Sequence, residues 1–259
     1  DNYDENRHFF LSHYFRNNYE KTLSNLPFIS SGVTINRVEV WITNKRANYD
    51  QARNIIAFMD LGEAERIDNN LWHKTGSENQ PQNNSNNLYS DIKSLPGIRN
   101  IQQTNSVLSS TYAKNSFTGG EDYEKIESAR KLDPSEYTLN PTLGIISLKS
   151  QLNHDEVLGV AFEYTYGGNV YQVGEFSTDA VSAPDALFVK LLKSTAQSPQ
   201  LALWDLMMKN VYSLGAYQVQ SDKFVLNIVY RNDSVGTDMQ YLSEGKIKNQ
   251  TLLKVMNLD

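Results

Sequence analysis

The chain has 259 residues, 24 of them basic and 30 acidic, for a net charge of −6. Fifteen Tyr, ten Phe and three Trp supply too much aromatic surface for a disordered chain, and the length suffices to bury a core without staples. Zero Cys excludes disulfides, thiolate metal sites and a cysteine nucleophile, and without a basic stripe the chain lacks the footprint of a nucleic-acid binder.

No apolar run reaches the ~18 residues that mark a membrane-spanning helix. The start at Asp1, with no leader before it, reads as a mature product or a piece of something longer.

Residues 5–26 read as an aromatic helix, because Leu11, Phe15, Tyr19 and Leu23 recur at helical spacing before Pro27. Residues 33–43 are rich in β-branched side chains, but their alternation changes phase. Val33 and Ile35 share one face, whereas Val38, Val40 and Ile42 share the other parity. A bulge near Asn36–Arg37 accounts for the switch. A second strand covers 54–60 and stops at Gly62.

Residues 76–87 form an Asn-rich polar loop that is expected not to pack. Short helices follow at 87–94 and 101–113, separated by Pro96 and Gly97. Residues 123–132 fit a strand or a helix equally. A hairpin spans 157–176, with Gly167, Gly168 and Asn169 supplying the turn. A strand over 186–192 comes next. Ser198 and Pro199 then open a predicted helix over 199–214, with Leu201, Trp204, Met208 and Val211 on one face. A last strand covers 223–231, with Phe224, Leu226, Ile228 and Tyr230 on one side.

The expected class is α+β, strand-rich, with antiparallel sheets and a few covering helices. The division expected is an N-terminal α+β part, 1–150, and a C-terminal α+β part, 151–259.

Chemistry is sparse. His8, His13, His73 and His154 include no pair at the spacing of a helical zinc site. There is no G-x-S-x-G elbow and no phosphate loop. The carboxylate pairs Asp60/Glu63, Glu121/Asp122 and Asp155/Glu156 are neighbours by chance in an acidic chain, and only a cleft that desolvates one member would make them catalytic. Residues 232–238 read as a turn rather than a calcium loop, because an EF-hand's spaced acids and closing Glu are missing. Of the three Trp, Trp204 belongs to packing. Trp72, beside the polar loop, is the best exposed candidate for a glycan or peptide platform, though packing is favoured there too. No catalytic, cofactor-binding or metal-binding residue is assigned, no cofactor is expected, and the chain is not expected to be an enzyme.

Longer phrases say more. Asp4–Glu20 (DENRHFFLSHYFRNNYE), Ser31–Asn44 (SGVTINRVEVWITN) and Arg53–Glu63 (RNIIAFMDLGE) resemble the SprA/Sov family, the giant outer-membrane β-barrel translocons of the type IX secretion system. Phe162–Ser177 (FEYTYGGNVYQVGEFS), Trp204–Tyr217 (WDLMMKNVYSLGAY) and Leu252–Asp259 (LLKVMNLD) are similar to the same family.

That resemblance implies a soluble piece of a much longer chain from a Bacteroidetes cell surface, serving secretion of folded cargo and gliding motility. The partners it implies are the remainder of its own giant barrel chain, a PorV-like outer-membrane shuttle barrel, a periplasmic plug protein and secreted cargo proteins. It implies no catalytic residues.

Leu158–Tyr166 alone has the alternation of a barrel strand, while polar Arg37, Glu39 and Asn227 interrupt the other candidates. Most of the chain is therefore expected to be a soluble insert, and because barrels carry their longer loops outside, an extracellular position is expected, with a periplasmic one as the alternative. The competing reading is a freestanding cell-surface module binding glycan or peptide. A carboxylate-pair hydrolase is a third.

Overall fold

A computed structural model describes residues 3–25, 28–46, 49–209, 211–216, 218–234 and 236–256. In chain order it contains β1 (His8–Phe10), α1 (His13–Leu23), β2 (Val33–Ile42), β3 (Arg53–Phe58), α2 (Leu88–Lys93) and α3 (Thr104–Thr111). Next come β4 (Tyr123–Lys131), β5 (Tyr137–Asn140), β6 (Ile145–Leu148), β7 (Leu158–Tyr166), β8 (Asn169–Val173) and β9 (Leu187–Lys193). The end of the chain adds β10 (Tyr230–Arg231), β11 (Asp238–Met239) and α4 (Leu252–Val255). The class is α+β and strand-rich, with mostly antiparallel pairing.

The larger unit, Asp1–Tyr212, is organised around a closed ring. β2 pairs with β7 along its length and with β4 at Trp41 and Ile42. β4 pairs with β3, β3 runs parallel to β9, and β9 returns to β7. Five strands therefore close on themselves, with β8 attached to β7 outside the ring.

Closure removes free edges but demands a filled interior. Trp41 faces Gly159 across the β2–β7 pair. A Cβ at Gly159 would lie 2.8 Å from Val189 Cγ2 and 3.4 Å from Ala57 Cβ. The largest aromatic in the ring thus sits beside a missing side chain. Trp41, Ile55, Ala57 and Val189 are all fully buried, so the ring is packed.

Outside the ring lies an aromatic layer. Phe15 of α1 meets Phe162 and Tyr164 edge-on at 6.0 and 5.9 Å. Phe58 touches Phe117, Tyr123 and Phe188. A separate three-stranded sheet, ordered β1-β6-β5, packs its Phe9 and Ile146 into the same core.

Several expectations hold. The β2 bulge appears as a register shift between Ile35 and Arg37, as the phase change requires. The 157–176 hairpin forms, and 123–132 resolves as a strand.

Others need correction. The helix expected over 5–26 is two elements, because His8–Phe10 pairs with Ser147–Ile145 and the helix starts only at His13; Leu26 lies outside the described residues. The helix expected over 199–214 shrinks to one 3-10 turn at Ala202–Asp205. Beyond it the backbone joins β1 instead, with Phe10 N donating to Leu206 O at 2.8 Å and Met208 N to His8 O at 2.8 Å. Asn210 lies outside the described residues.

The Asn-rich loop does pack. Ser85 and Asn86 are buried, and Asn86 Nδ2 donates to the carbonyls of Asp60 and Glu63 at 2.7 and 2.9 Å. Asn83 brackets Gly174, accepting from its N–H at 2.7 Å and donating to its carbonyl at 3.3 Å. The division expected at 150 runs through the ring, because β2, β3 and β4 precede it while β7 and β9 follow it. The chain divides instead between Tyr212 and Ser213.

The smaller unit, Ser213–Asp259, holds the β10–β11 hairpin, a 3-10 turn at Ser221–Lys223 and α4. The strand expected over 223–231 shrinks to the two-residue β10. Residues 224–229 carry no helix, turn or ladder.

Candidate functional site

Of the three carboxylate pairs, the structure makes one into a cluster. Asp60 and Glu63 flank a tight turn after β3 and are 2% and 1% exposed. Lys190, pointing from β9, puts its Nζ 2.8 Å from Glu63 Oε1. His13, at the start of α1, places Nδ1 2.9 Å from the same oxygen, without hydrogen-bond alignment. The His13 backbone N–H also donates to Glu63 Oε1, at 3.2 Å, and its Nε2 donates to Ala202 O at 3.0 Å.

The two acids respond oppositely. Burial would raise Glu63, but Lys190 and His13 outweigh it and hold the carboxyl at about 2. Burial pushes Asp60 up to about 6, against the Asp68 and Asn69 N–H groups that bind its two oxygens at 3.0 and 2.9 Å.

A raised and a lowered carboxyl side by side is the electrostatic signature of an acid–base pair. Here the geometry is structural instead. Both Asp60 oxygens are taken by backbone N–H groups, Lys190 Nζ also donates to Met59 O, and every member of the cluster is buried. The cluster ties α1, the post-β3 turn, β9 and the 3-10 turn at Ala202 together.

The other pairs do not converge. Asp122 accepts from Asn69 Nδ2 at 2.6 Å, and Glu156 accepts from the Asn153 backbone and side chain at 2.7 and 2.9 Å. Asp155 is exposed and paired with Lys45. Among the described residues no group of three or more His, Asp or Glu could hold a metal ion.

The structure brings together one constellation that sequence reasoning missed. On the open face of the three-stranded sheet, Ser147 Oγ lies 2.8 Å from His8 Nδ1, and His8 Nε2 lies 3.5 Å from Asp4 Oδ2. Placing residues 5–26 in one helix hid it, because His8 meets Ser147 only as a cross-strand pair. Asp4 is committed to Arg7 at 2.9 Å, and 3.5 Å is too long to orient an imidazole. It reads as a polar row on a sheet.

The Trp platform also disappears. Trp72 is buried, edge-on to Tyr112 and Phe117 at 5.7 and 5.8 Å. Trp204 is part-buried against the core, as expected, with Lys209 over its ring at 5.2 Å. Residues 232–238 form the turn of the β10–β11 hairpin, with Ser234 N donating to Asn232 Oδ1 at 2.9 Å; Val235 lies outside the described residues.

Exposed apolar surface is where the molecule departs from a self-contained fold. Leu214, Val219, Phe224, Val225, Leu226, Val229, Tyr241 and Met256 of the smaller unit are all exposed.

The model of SprA_N, described as a motility related/secretion protein, matches residues 1–155, more than half of the chain. The chain belongs to this family. The match holds β2, β3 and β4 of the ring, while β7 and β9, which close it, lie beyond residue 155. No curated protein matches the chain.

As a SprA_N member, the protein is related to motility and secretion.

Proposed function

We propose that the chain is a non-enzymatic structural and interaction region of the outer-membrane translocation channel of the type IX secretion system. It would support export of folded cargo and gliding motility in a Bacteroidetes host. The observation that carries this reading is the SprA_N match over residues 1–155. The side-chain-filled ring supports a scaffold role, because a filled ring passes nothing through itself. The partners in this reading are the remainder of its own giant barrel chain, a PorV-like shuttle barrel, a periplasmic plug protein and secreted cargo.

The position we assign is a soluble insert on the extracellular side of the outer membrane, with the periplasmic side as the alternative. Leu158–Tyr166, whose alternation alone fits a lipid-facing strand, is paired on both edges inside the ring. The freestanding glycan- or peptide-binding reading loses its anchor, since Trp72 is buried.

An in-frame deletion of residues 1–212 in the native gene tests the proposal. The expected result is cargo held inside the cell and loss of surface spreading, with the shortened channel still at wild-type level in the outer membrane. Normal secretion and spreading with that deletion would overturn the reading.

A further inference from the structure

Three tyrosines converge on one pocket of the larger unit. Tyr14 and Tyr19 of α1 and Tyr166 at the end of β7 line a cavity of about 120 Å³, and all three are half-buried. The buried side chains of Phe15 and Leu143 complete its apolar part. Two glycines with positive φ shape these walls. A Cβ at Gly144 would fall 2.4 Å from the Phe15 ring, and one at Gly32 would fall 3.2 Å from the Tyr166 ring.

The polar lining is uncharged apart from the exposed Lys21. Thr22 and Ser31 spend their hydroxyls on the backbone of Asn18 and Val33. By contrast, Ser30 Oγ, Thr142 Oγ1, Tyr19 Oη, Tyr166 Oη and Asn18 Oδ1 have no hydrogen-bond partner among the described residues. Four hydroxyls, each able to donate and to accept, and one acceptor oxygen therefore stand among three aromatic rings.

Ligand classes meet this lining differently. An ammonium group would find no carboxylate among the described lining residues. A carboxylate would find only Lys21, and an exposed ion pair is worth little. A purely apolar group would strip water from the hydroxyls without replacing its hydrogen bonds. An extended peptide takes its affinity from main-chain bonds along a strand edge, whereas this pocket lies between a helix and turns. A pyranose ring fits on both counts. Its hydroxyls donate and accept, and its slightly positive C–H groups pack on the negative face of a tyrosine ring. The volume, below that of a drug-sized site, suits a single ring.

We propose that the Tyr14–Tyr19–Tyr166 pocket binds one neutral pyranose ring. The inference goes beyond the translocon reading, and it needs neither Trp72 nor a freestanding module.

Saturation-transfer NMR and titration calorimetry on the purified 259-residue chain test it. The probes are the methyl glycosides of glucose, galactose, mannose and N-acetylglucosamine. At least one should bind, with a Kd on the order of 1–10 mM for a ligand of this size. Cyclohexanol and cyclohexanecarboxylate, which offer a ring without the hydroxyl array, should bind at least about 10-fold more weakly. Tyr166→Phe keeps the aromatic ring and removes one hydroxyl, and should weaken glycoside binding about 3-fold. Ser30→Ala combined with Thr142→Val should weaken it at least about 10-fold. Thermal melts of both variants should match that of the parent chain.

Three results would overturn the inference. They are no binding of any glycoside at about 50 mM, either cyclohexane probe binding as well as the best glycoside, or glycoside binding indifferent to both variants.

Discussion

Lys190 Nζ lies 2.8 Å from Glu63 Oε1, and the two side chains are 0% and 1% exposed. A charge pair this deep brings little net stability, since desolvating both ions offsets most of their attraction. It does impose a strong penalty on losing one partner. Lys190→Met should therefore destabilise the chain by about 3–5 kcal/mol, by stranding the Glu63 carboxylate. Lys190→Met combined with Glu63→Leu should recover much of that loss. Urea denaturation of the two variants checks both values.

The neighbouring acid gives the chain an unusual pH response. Asp60 keeps its proton up to about 6 when folded, against 3.8 as its ordinary value. Over that window the folded state binds more protons than the unfolded state, so stability falls as pH rises from about 4 to about 6, by on the order of 3 kcal/mol. Glu63, at about 2 against 4.5, acts in the opposite sense: its contribution is complete above 4.5 and is lost as pH falls towards 2. Stability from this pair should therefore peak near pH 4 to 5. Denaturation at a series of pH values checks it, and Asp60→Asn should flatten the slope between 4 and 6.

Inside the ring, Gly159 should tolerate no side chain without a compensating change. Gly159→Val should cost about 1–3 kcal/mol by overpacking against Val189 and Ala57. Adding Val189→Ala should restore part of it. Thermal melts of the single and double variants decide the matter.

The Asn-rich loop offers a paired test. Asn86→Ala leaves the carbonyls of Asp60 and Glu63 and the N–H of Leu88 without their partner and should cost about 1–3 kcal/mol. Asn84→Ala, two residues away and exposed, should change stability by less than about 0.5 kcal/mol. Similar losses at both positions would contradict the packed loop.

The contrast between these residues explains what was legible in the sequence. Periodicity is a local signal, so the bulge in β2, the Gly167–Gly168 hairpin and the strand at 187–193 could be read directly. Asn86 could not, because one polar residue in a run of Asn looks the same whether solvated or buried under a turn. The 199–214 helix failed for a related reason. Leu201, Trp204, Met208 and Val211 have helical spacing, but β1 presents backbone groups that bond to Leu206 and Met208, and tertiary pairing outweighed local pattern. The Asp60/Glu63 pair was noticed in the sequence, whereas its partners His13 and Lys190 come from α1 and β9, elements far apart in the chain.

The account turns on which larger structure carries this chain, and the fold shows where to put a reporter. Residues 79–87 are anchored through Asn83 to Gly174, Asn86 to Asp60 and the Ser85 carbonyl to the Thr75 N–H, so an insertion there would disturb the core. The Gly167–Gly168 turn is exposed, with open space around both residues. A protease-cleavable epitope placed in that turn of the native protein, followed by protease treatment of intact cells and blotting of outer-membrane fractions, is the most direct measurement. The account predicts an epitope carried on a very large outer-membrane band and removed by external protease. An epitope found on a soluble band of the chain's own size would contradict it.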